Sequence, residues 1–232
     1  MKVSVIGLGW YGEPLAGELK KRGHEVRGTT TREEKKAALE LRGISAAVLG
    51  HPALPPADLL GSDVIVLNIP PFTGQLEWLK LWPWRGAKLV FVSSTSVLAG
   101  TSPILQEEER WVRENFDRAA ILRFGGLLGG GRHPGKFLSG RENVPHRLWP
   151  VNLLHLEDAV GFTLTVLEKN LSGTFDVVCD EHRSREEFYT EFARRRNLPP
   201  PLFDQSDSST RAAIPNNAVK AHYTFRVTDL NS

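Results

Sequence analysis

Strand-like runs of apolar residues alternate with amphipathic stretches along the first half of the chain. The run at 88–92 is apolar at nearly every position, which is typical of a strand buried on both faces of a sheet. Strands that alternate with helices predict an α/β fold, a doubly wound parallel sheet with helices on both faces. The predicted strands are residues 2–6, 25–29, 44–49, 63–67, 88–92 and 119–124.

The second half of the chain has a different pattern. A helix is predicted from about residue 156 to 170, followed by a late strand at 174–179. A further helix is predicted over 184–197, with Ser184 as its N-cap and Glu187 completing a capping box.

The first predicted strand leads directly into Gly7-Leu8-Gly9-Trp10-Tyr11-Gly12 and then into a helix. In this G-x-G-x-x-G pattern, Gly7 allows a tight turn, Gly9 lets the backbone approach a pyrophosphate, and Gly12 lets the helix contact the strand. The pyrophosphate would bind at the helix N-terminus. We therefore predict a Rossmann-type NAD(P)-binding core over residues 1–124. Residues 125–232 would complete the sheet and form a small C-terminal substrate lobe.

The end of the second predicted strand bears on the choice of cofactor. NAD sites usually carry an acidic residue there, whereas this chain has Thr29-Thr30-Thr31-Arg32. Because a guanidinium can bind a 2′-phosphate through two hydrogen bonds, this segment favours NADP(H), with NAD(H) as the alternative. In a structural interpretation, Thr31 only caps the next helix and Arg32 belongs to its solvated first turn.

Composition and charge exclude several classes of protein. The 29 basic and 27 acidic residues are well mixed and give a net charge of +2, which does not indicate nucleic-acid or membrane binding. No apolar run is long enough to span a membrane, so we expect a cytoplasmic protein. The single cysteine, Cys179, lies in an apolar run and predicts a buried structural thiol. The histidines have no spacing that indicates a metal site.

Three further segments, at 91–97, 122–132 and 151–160, strengthen the functional prediction. They read Phe-Val-Ser-Ser-Thr-Ser-Val, Leu-Arg-Phe-Gly-Gly-Leu-Leu-Gly-Gly-Gly-Arg and Val-Asn-Leu-Leu-His-Leu-Glu-Asp-Ala-Val. Together with the glycine motif, the chain resembles the extended short-chain dehydrogenase/reductase superfamily. The resemblance is to its NAD-dependent epimerase/dehydratase family, in particular a bacterial branch of nucleoside-diphosphate-sugar epimerases. It covers nearly the whole chain, because 216–220 is similar to the C-terminal motif of that branch.

The resemblance implies roles for individual residues. Ser94 would hold the reacting oxygen of the substrate, although a serine at a strand end can also simply bond to the backbone. The segment Asn68, Ile69 and Pro70 would run alongside the adenosine ribose of the cofactor. His155 would face the substrate, with helix capping as the alternative. The residues expected beside the nicotinamide are Ser93 and Phe124.

The superfamily's general acid/base is a tyrosine followed four residues later by a lysine, and this chain lacks that pair. Its three tyrosines, Tyr11, Tyr189 and Tyr223, are followed at that position by leucine, alanine and valine. The strand that contains Ser93 and Ser94, which we call the serine strand, continues almost directly into a helix predicted over 104–115. We interpret the charged residues of that helix as a solvated face, with the alternative that one of them acts as a substitute acid: Glu107, Glu108, Glu109, Arg110 and Arg113.

Two hypotheses follow. The first is an NADP(H)-dependent oxidoreductase or epimerase-like enzyme acting on a small carbonyl or nucleotide-sugar-type molecule, with water, a substrate group or His155 supplying the proton. The second is a non-catalytic NADP(H)-binding sensor or partner-binding protein. The chain would be a monomer or a homodimer.

Two other groups of residues have open interpretations. The tryptophan-rich segment 76–84 either covers the sheet or forms an exposed patch that binds a partner. Basic residues of the loop at 125–148 are either solvated or form a pocket for a substrate anion. The basic residues are Arg132, His133, Arg141, His146 and Arg147.

Overall fold

The computed structural model describes residues 1–231. The chain forms two compact units. The first unit contains Met1–Arg123 and Thr163–Phe175, so part of the second half of the sequence returns to it. The second unit contains Phe124–Phe162 and residues 176–231.

Seven strands form one sheet in the order β3-β2-β1-β4-β5-β6-β9. The pairs β1–β2, β1–β4, β2–β3 and β4–β5 are all parallel, and β7 pairs with β8 in a separate parallel ribbon. This confirms the predicted doubly wound sheet. The strands are β1 (Lys2–Ile6), β2 (Glu25–Thr30), β3 (Ser45–Val48), β4 (Val64–Leu67), β5 (Lys88–Ser94), β6 (Ala120–Phe124), β7 (Gly126–Leu128), β8 (Leu153–His155) and β9 (Gly173–Val177).

The helices begin and end close to the predicted positions. Within residues 1–231, no helix has the length and apolar character needed to cross a membrane. A 3-10 turn over Thr95–Ala99 separates β5 from the helix that follows it. The helices are α1 (Gly12–Lys21), α2 (Glu33–Leu41), α3 (Ala57–Leu60), α4 (Gln75–Lys80), α5 (Pro103–Asn115), α6 (Gly135–Leu138), α7 (Leu156–Glu168), α8 (Arg185–Arg195) and α9 (Asn217–Lys220).

The predicted capping box at the start of α8 is confirmed. The Glu187 N–H donates to the Ser184 hydroxyl over 3.2 Å, and the Ser184 N–H donates to the Glu187 carboxylate over 3.0 Å. These two bonds satisfy backbone groups that the first helical turn leaves without partners.

The tryptophan-rich segment covers the sheet. Trp78 and Trp82 are buried in a hydrophobic cluster of the first unit, with their ring centroids 4.9 Å apart, whereas Leu81 is exposed. Neighbouring rings continue this contact in both directions along the unit. The aromatic cluster comprises His51, Phe72, Trp78, Trp82, Trp84, Trp111 and Phe116.

The prediction of a solvated face on α5 is wrong for two of its glutamates. Glu108 and Glu109 are 0% and 1% exposed, because they share a helix face with the core residues Leu105 and Val112. Neither carboxylate oxygen of Glu108 has a hydrogen-bond partner among the described residues. Burial, with a smaller contribution from Glu107, raises the pKa of Glu108 to about 7.

Replacing Glu108 should therefore change how stability depends on pH. Below the ordinary carboxyl pKa of 4.5, Glu108 is protonated in both the folded and unfolded states and adds no pH-dependent cost to folding. As pH rises through 4.5 towards 7, the unfolded state releases the proton first, and the free energy of unfolding falls by roughly 3 kcal/mol. In Glu108→Gln this loss should disappear, so the variant gains stability relative to the parent between pH 5 and 8.

Urea denaturation at several pH values measures this difference. Glu114→Gln, an exposed position on the same helix, is the matched control and should follow the parent. A constant stability difference between Glu108→Gln and the parent across this range would contradict the prediction.

Candidate functional site

The glycine motif forms a tight turn between β1 and α1. Gly7 has a φ of 104°, and a side chain there would collide with the carbonyl oxygen of Asn68. The Gly7 N–H donates to the Thr29 hydroxyl over 3.0 Å, and the Leu8 N–H donates to the Thr29 carbonyl over 2.6 Å. The turn is therefore closed on the sides of β2 and β4, and only glycine fits at its first position.

The other two glycines of the motif have different surroundings. A side chain at Gly12 would collide with the carbonyl oxygen of Gly7, so this glycine allows close contact between helix and turn. At Gly9, no atom beyond the chain neighbours lies within 4 Å of the position a Cβ would take. Gly9 therefore leaves open backbone beside the N-terminus of α1, which is the surface that a pyrophosphate requires.

A cavity of about 320 Å³ lies in the first unit at the carboxyl ends of β1, β2 and β4. We call it the first cavity. Besides Ile69, it brings together seven residues predicted to bind the cofactor, and the rings of His51, Phe72 and Trp78 form part of its wall. An apolar, partly aromatic wall beside open backbone suits a planar base joined to a diphosphate. The seven residues are Gly7, Gly9, Thr30, Thr31, Arg32, Asn68 and Pro70.

The first cavity is basic on the side of β2 and α2. Arg32 and Lys35 line it, together with the hydroxyl residues Thr30 and Thr31, and no aspartate or glutamate of residues 1–231 does. Arg32 occupies the N-cap position of α2 without a side-chain capping bond, so the alternative interpretation, in which Thr31 caps this helix, does not hold. Within residues 1–231, Arg32 forms no ion pair with a carboxylate, whereas Lys35 lies 3.1 Å from Glu13. The cavity therefore offers an anionic group the guanidinium of Arg32, with Lys35 as a second cation that already pairs with Glu13.

Trp10 and Tyr11 lie in the turn but do not line the first cavity. Tyr11 is buried, and its hydroxyl bonds to Thr163 of α7 at 2.6 Å within the first unit. Burial raises the pKa of Tyr11 despite this bond. The phenol therefore anchors α1 to α7, and only the backbone of Tyr11 stays near the turn.

The two serines at the end of β5 have different partners. Ser93 is 5% exposed, and its hydroxyl donates to the Glu109 carboxylate over 2.7 Å. Ser94 is half-buried, and its hydroxyl oxygen accepts the Ser96 N–H over 3.2 Å. The Ser94 bond agrees with the structural interpretation of a strand-end serine, but it leaves the hydroxyl hydrogen available for donation.

Glu109 connects the serine strand to the neighbouring strand β6. Arg123 donates to its carboxylate from Nε and from Nη2, the latter over 2.7 Å, and Arg113 donates over 3.1 Å. Burial alone would raise the pKa of Glu109, but the hydrogen bonds from Arg123, Ser93 and Arg113 outweigh it and lower the pKa. Glu109 is therefore a buried, ionised acceptor and is poorly suited to donate a proton.

The second unit contains the remaining predicted residues. Phe124 ends β6 and is buried. Arg132 and His155 line a cavity of about 230 Å³, which we call the second cavity. His155 accepts the Glu157 N–H at Nδ1 over 3.3 Å, which agrees with the helix-capping alternative and leaves its Nε2 facing the loop that begins at Gly129.

The five basic loop residues do not form one anion pocket. His133 joins Arg132 at the second cavity, but His146 stacks on Trp149 and Arg147 pairs with Glu186 over 3.2 Å. His133 is buried, and its Nε2 lies 3.1 Å from the Leu230 carbonyl oxygen. The interpretation of these five residues as one anion pocket therefore does not hold, because tertiary contacts engage His146 and Arg147 elsewhere.

Sequence reasoning missed Lys35, His51, Phe72 and Trp78 as residues of the first cavity. Lys35 lies one helical turn after Arg32, and His51 follows the third strand. Ligands bind beyond the carboxyl ends of strands in this type of sheet, so this rule applied to β3 would have identified His51. The ring contact between His51 and Phe72, at 5.3 Å, has no signal in the sequence.

Known proteins of similar sequence cover most of the chain. Protein YeeZ of Escherichia coli K12 is 31% identical over 92% of this chain and 90% of its own length. A 3-diazoavenalumate denitrifying reductase from Streptomyces is 25% identical over 87% of this chain and 83% of its own length. No family model matches the chain.

Solved structures show the same fold at lower identity. UDP-glucuronic acid 4-epimerase from Bacillus cereus, solved with NAD, has a TM-score of 0.72 and 16% identity, covering 100% of this chain and 95% of its own. A short-chain dehydrogenase/reductase superfamily protein from Agrobacterium tumefaciens, solved with bound NAD, has a TM-score of 0.70 and 15% identity, covering 96% and 91%. The chain therefore belongs to the family of Protein YeeZ, and its fold is that of the epimerases and dehydratases of the short-chain dehydrogenase/reductase superfamily.

Proposed function

We propose that the chain is a cytoplasmic NADP(H)-binding oxidoreductase of the epimerase/dehydratase type, acting on a small carbonyl or nucleotide-sugar-type substrate. The observation that carries this proposal is the first cavity, where the open backbone of Gly9 adjoins an aromatic wall and two cations. The Bacillus and Agrobacterium proteins of the same fold were solved with NAD, which supports a nicotinamide cofactor.

Each part of the first cavity has a proposed role toward the cofactor. The turn from Gly7 to Gly12 would surround the pyrophosphate. Its donors would include the N–H groups of Trp10 and Tyr11, because those of Gly7 and Leu8 bond to Thr29. Asn68 and Pro70 would contact the adenosine ribose. When bound, a nicotinamide cofactor supplies or accepts a hydride.

The cations of the cavity favour a cofactor that carries a 2′-phosphate. Arg32 would bind this phosphate through its guanidinium, and Thr30 and Thr31 would donate from their hydroxyls. Lys35 adds a second positive charge one turn further along α2. An acidic side chain, which would repel the phosphate, is absent among the described residues that line the cavity.

We assign the catalytic role to Ser94. Its hydroxyl hydrogen would be donated to the substrate oxygen, while its oxygen stays held by the Ser96 N–H. Ser93 and Phe124 would lie on the nicotinamide side, where Ser93 positions β5 through its bond to Glu109. Arg132 and His155 would bind the substrate, and solvent, a substrate group or His155 would provide the proton.

A second candidate function is a non-catalytic NADP(H)-binding sensor or partner-binding protein. Two observations favour it. No tyrosine is followed by a lysine four residues later. Glu108 is the buried acidic residue nearest in sequence to β5, and it lies on the face of α5 that packs against the core. The cofactor site of this protein would be the same first cavity.

Substituting Gly9 tests the cofactor site. Gly9→Ala should fold normally, because the position has open space and an ordinary φ. The added methyl group should keep a pyrophosphate away from the backbone amides and weaken NADPH binding at least about 100-fold, the loss of about two charge-assisted hydrogen bonds. Isothermal titration calorimetry measures this change. Gly17→Ala, an open position inside α1, is the control and should bind normally.

Substituting Arg32 tests the choice of cofactor. Arg32→Ala should weaken NADPH binding by roughly 10- to 100-fold, because the charge-assisted hydrogen bonds to the phosphate are lost. It should leave NADH binding nearly unchanged. Both dissociation constants are measured on the same protein. Lys36→Ala, on the same helix but outside the cavity, should change neither. Equal losses for the two cofactors would remove the basis for NADP(H) preference.

Turnover separates the two candidate functions. NADPH oxidation is measured with a panel of carbonyl compounds and nucleotide sugars. If the enzyme function is right, Ser94→Ala should lower kcat by roughly 100-fold without changing NADPH affinity. Ser96→Ala, whose hydroxyl bonds to Ser102, is the control. NADPH binding with no turnover on any compound would favour the sensor.

A further inference from the structure

The second cavity lies wholly within the second unit, at the carboxyl ends of the parallel strands β7 and β8. Leu128 and His155 are the last residues of these strands and both line it. Its other walls come from the loop at 129–133, from α6, from α8 and from Arg196, the residue that follows α8.

The charged side chains that line the second cavity are all basic. Arg132, Lys136 and Arg196 contribute three formal positive charges, and no described aspartate or glutamate lines it. The Arg196 guanidinium lies over the Phe192 ring, 5.9 Å from its centroid, and the Lys136 ammonium donates to the Gly131 carbonyl over 3.1 Å. Both cations therefore make a contact at a wall of the cavity, and both residues are exposed to solvent.

The two histidines of the cavity differ in what they can offer a ligand. His133 accepts the Gly135 N–H at Nδ1, and its Nε2 donates to the Leu230 carbonyl, so it has no atom left for a ligand. Burial lowers its pKa, and its ring stacks on Phe192 at a centroid distance of 3.8 Å. His155 accepts the Glu157 N–H at Nδ1, so its Nε2 carries the hydrogen and can donate.

The loop glycines keep the space above His155 open. Gly129 has a φ of 100°, and a side chain there would collide with the His155 ring. Gly131 has a φ of 81°, with no atom beyond its chain neighbours within 4 Å of the position a Cβ would take. The loop therefore leaves a donor, His155 Nε2, at a cavity surrounded by cations.

We propose that the second cavity binds a small oxyanion of the phosphate type. Arg132, Lys136 and Arg196 supply the charge, and His155 Nε2 supplies a directed hydrogen bond. A volume of about 230 Å³ is sufficient for a phosphate or a small phosphorylated compound. If the oxyanion belongs to the substrate, an assignment that rests on the proposed function, the substrate is a small phosphorylated carbonyl compound.

Titration with inorganic phosphate at low ionic strength tests the site directly. The full chain should bind phosphate, and the Lys136→Gln/Arg196→Gln double variant should bind it at least about 10-fold more weakly, as expected for the loss of charge-assisted bonds. Arg194→Gln removes a charge from the same helix outside the cavity and should bind like the parent. Circular dichroism verifies that each variant is folded.

Absence of phosphate binding by the parent, or an equal loss in Arg194→Gln, would overturn the proposal. Failure of the proposed function is seen separately, because NADPH affinity is measured on the same variants. Gly9→Ala should bind NADPH more weakly than the parent and bind phosphate like the parent.

A second experiment determines whether the oxyanion belongs to the substrate or is free phosphate. NADPH oxidation is compared for dihydroxyacetone phosphate and dihydroxyacetone, with inorganic phosphate as a competitor. A preference for the phosphorylated compound that is lost in the double variant assigns the cavity to the substrate. Phosphate binding without such a preference overturns that assignment and supports a site for free phosphate.

Discussion

The close contact of three backbone segments at Gly7 is the constraint on which the first unit depends. The Gly7 amide bonds to Thr29 at the end of β2, its carbonyl accepts the Asn68 side-chain amide over 3.2 Å, and the Asn68 carbonyl occupies the space of a side chain. These contacts join the ends of β1, β2 and β4, at the point where the strand order reverses. Because the turn is fixed there, α1 starts with the Gly9 backbone exposed to the first cavity.

Glu109 has a similar organising role for the serine strand. It is a buried charge, and such a group is stable only when it is paired and fully hydrogen-bonded. Arg123 and Arg113 provide the pairing, and Ser93 provides a further bond. The consequence for chemistry is that Ser93 has no free hydroxyl hydrogen, whereas Ser94 keeps one. The serine strand therefore retains one donor although the superfamily's tyrosine and lysine are missing.

The two cavities differ in the kind of chemistry that their linings favour. The first combines exposed backbone with aromatic rings and cations on one side, which suits a large ligand with a base and phosphates. The second is small, has three cations and one directed donor, and suits a compact anion. Each lies within one compact unit and can be probed without disturbing the residues of the other.

The sequence by itself determined the features that depend on local periodicity and short motifs. The alternation of strands and helices, the glycine turn and the Ser184 capping box could be predicted, because each rests on residues close together in the chain. Only the tertiary structure decided the features that depend on distant partners. Glu108 and Glu109 are buried because α5 turns this face to the core, and His146 and Arg147 have partners more than 35 residues away. Such pairings are set by packing, which leaves no periodic signal in the chain.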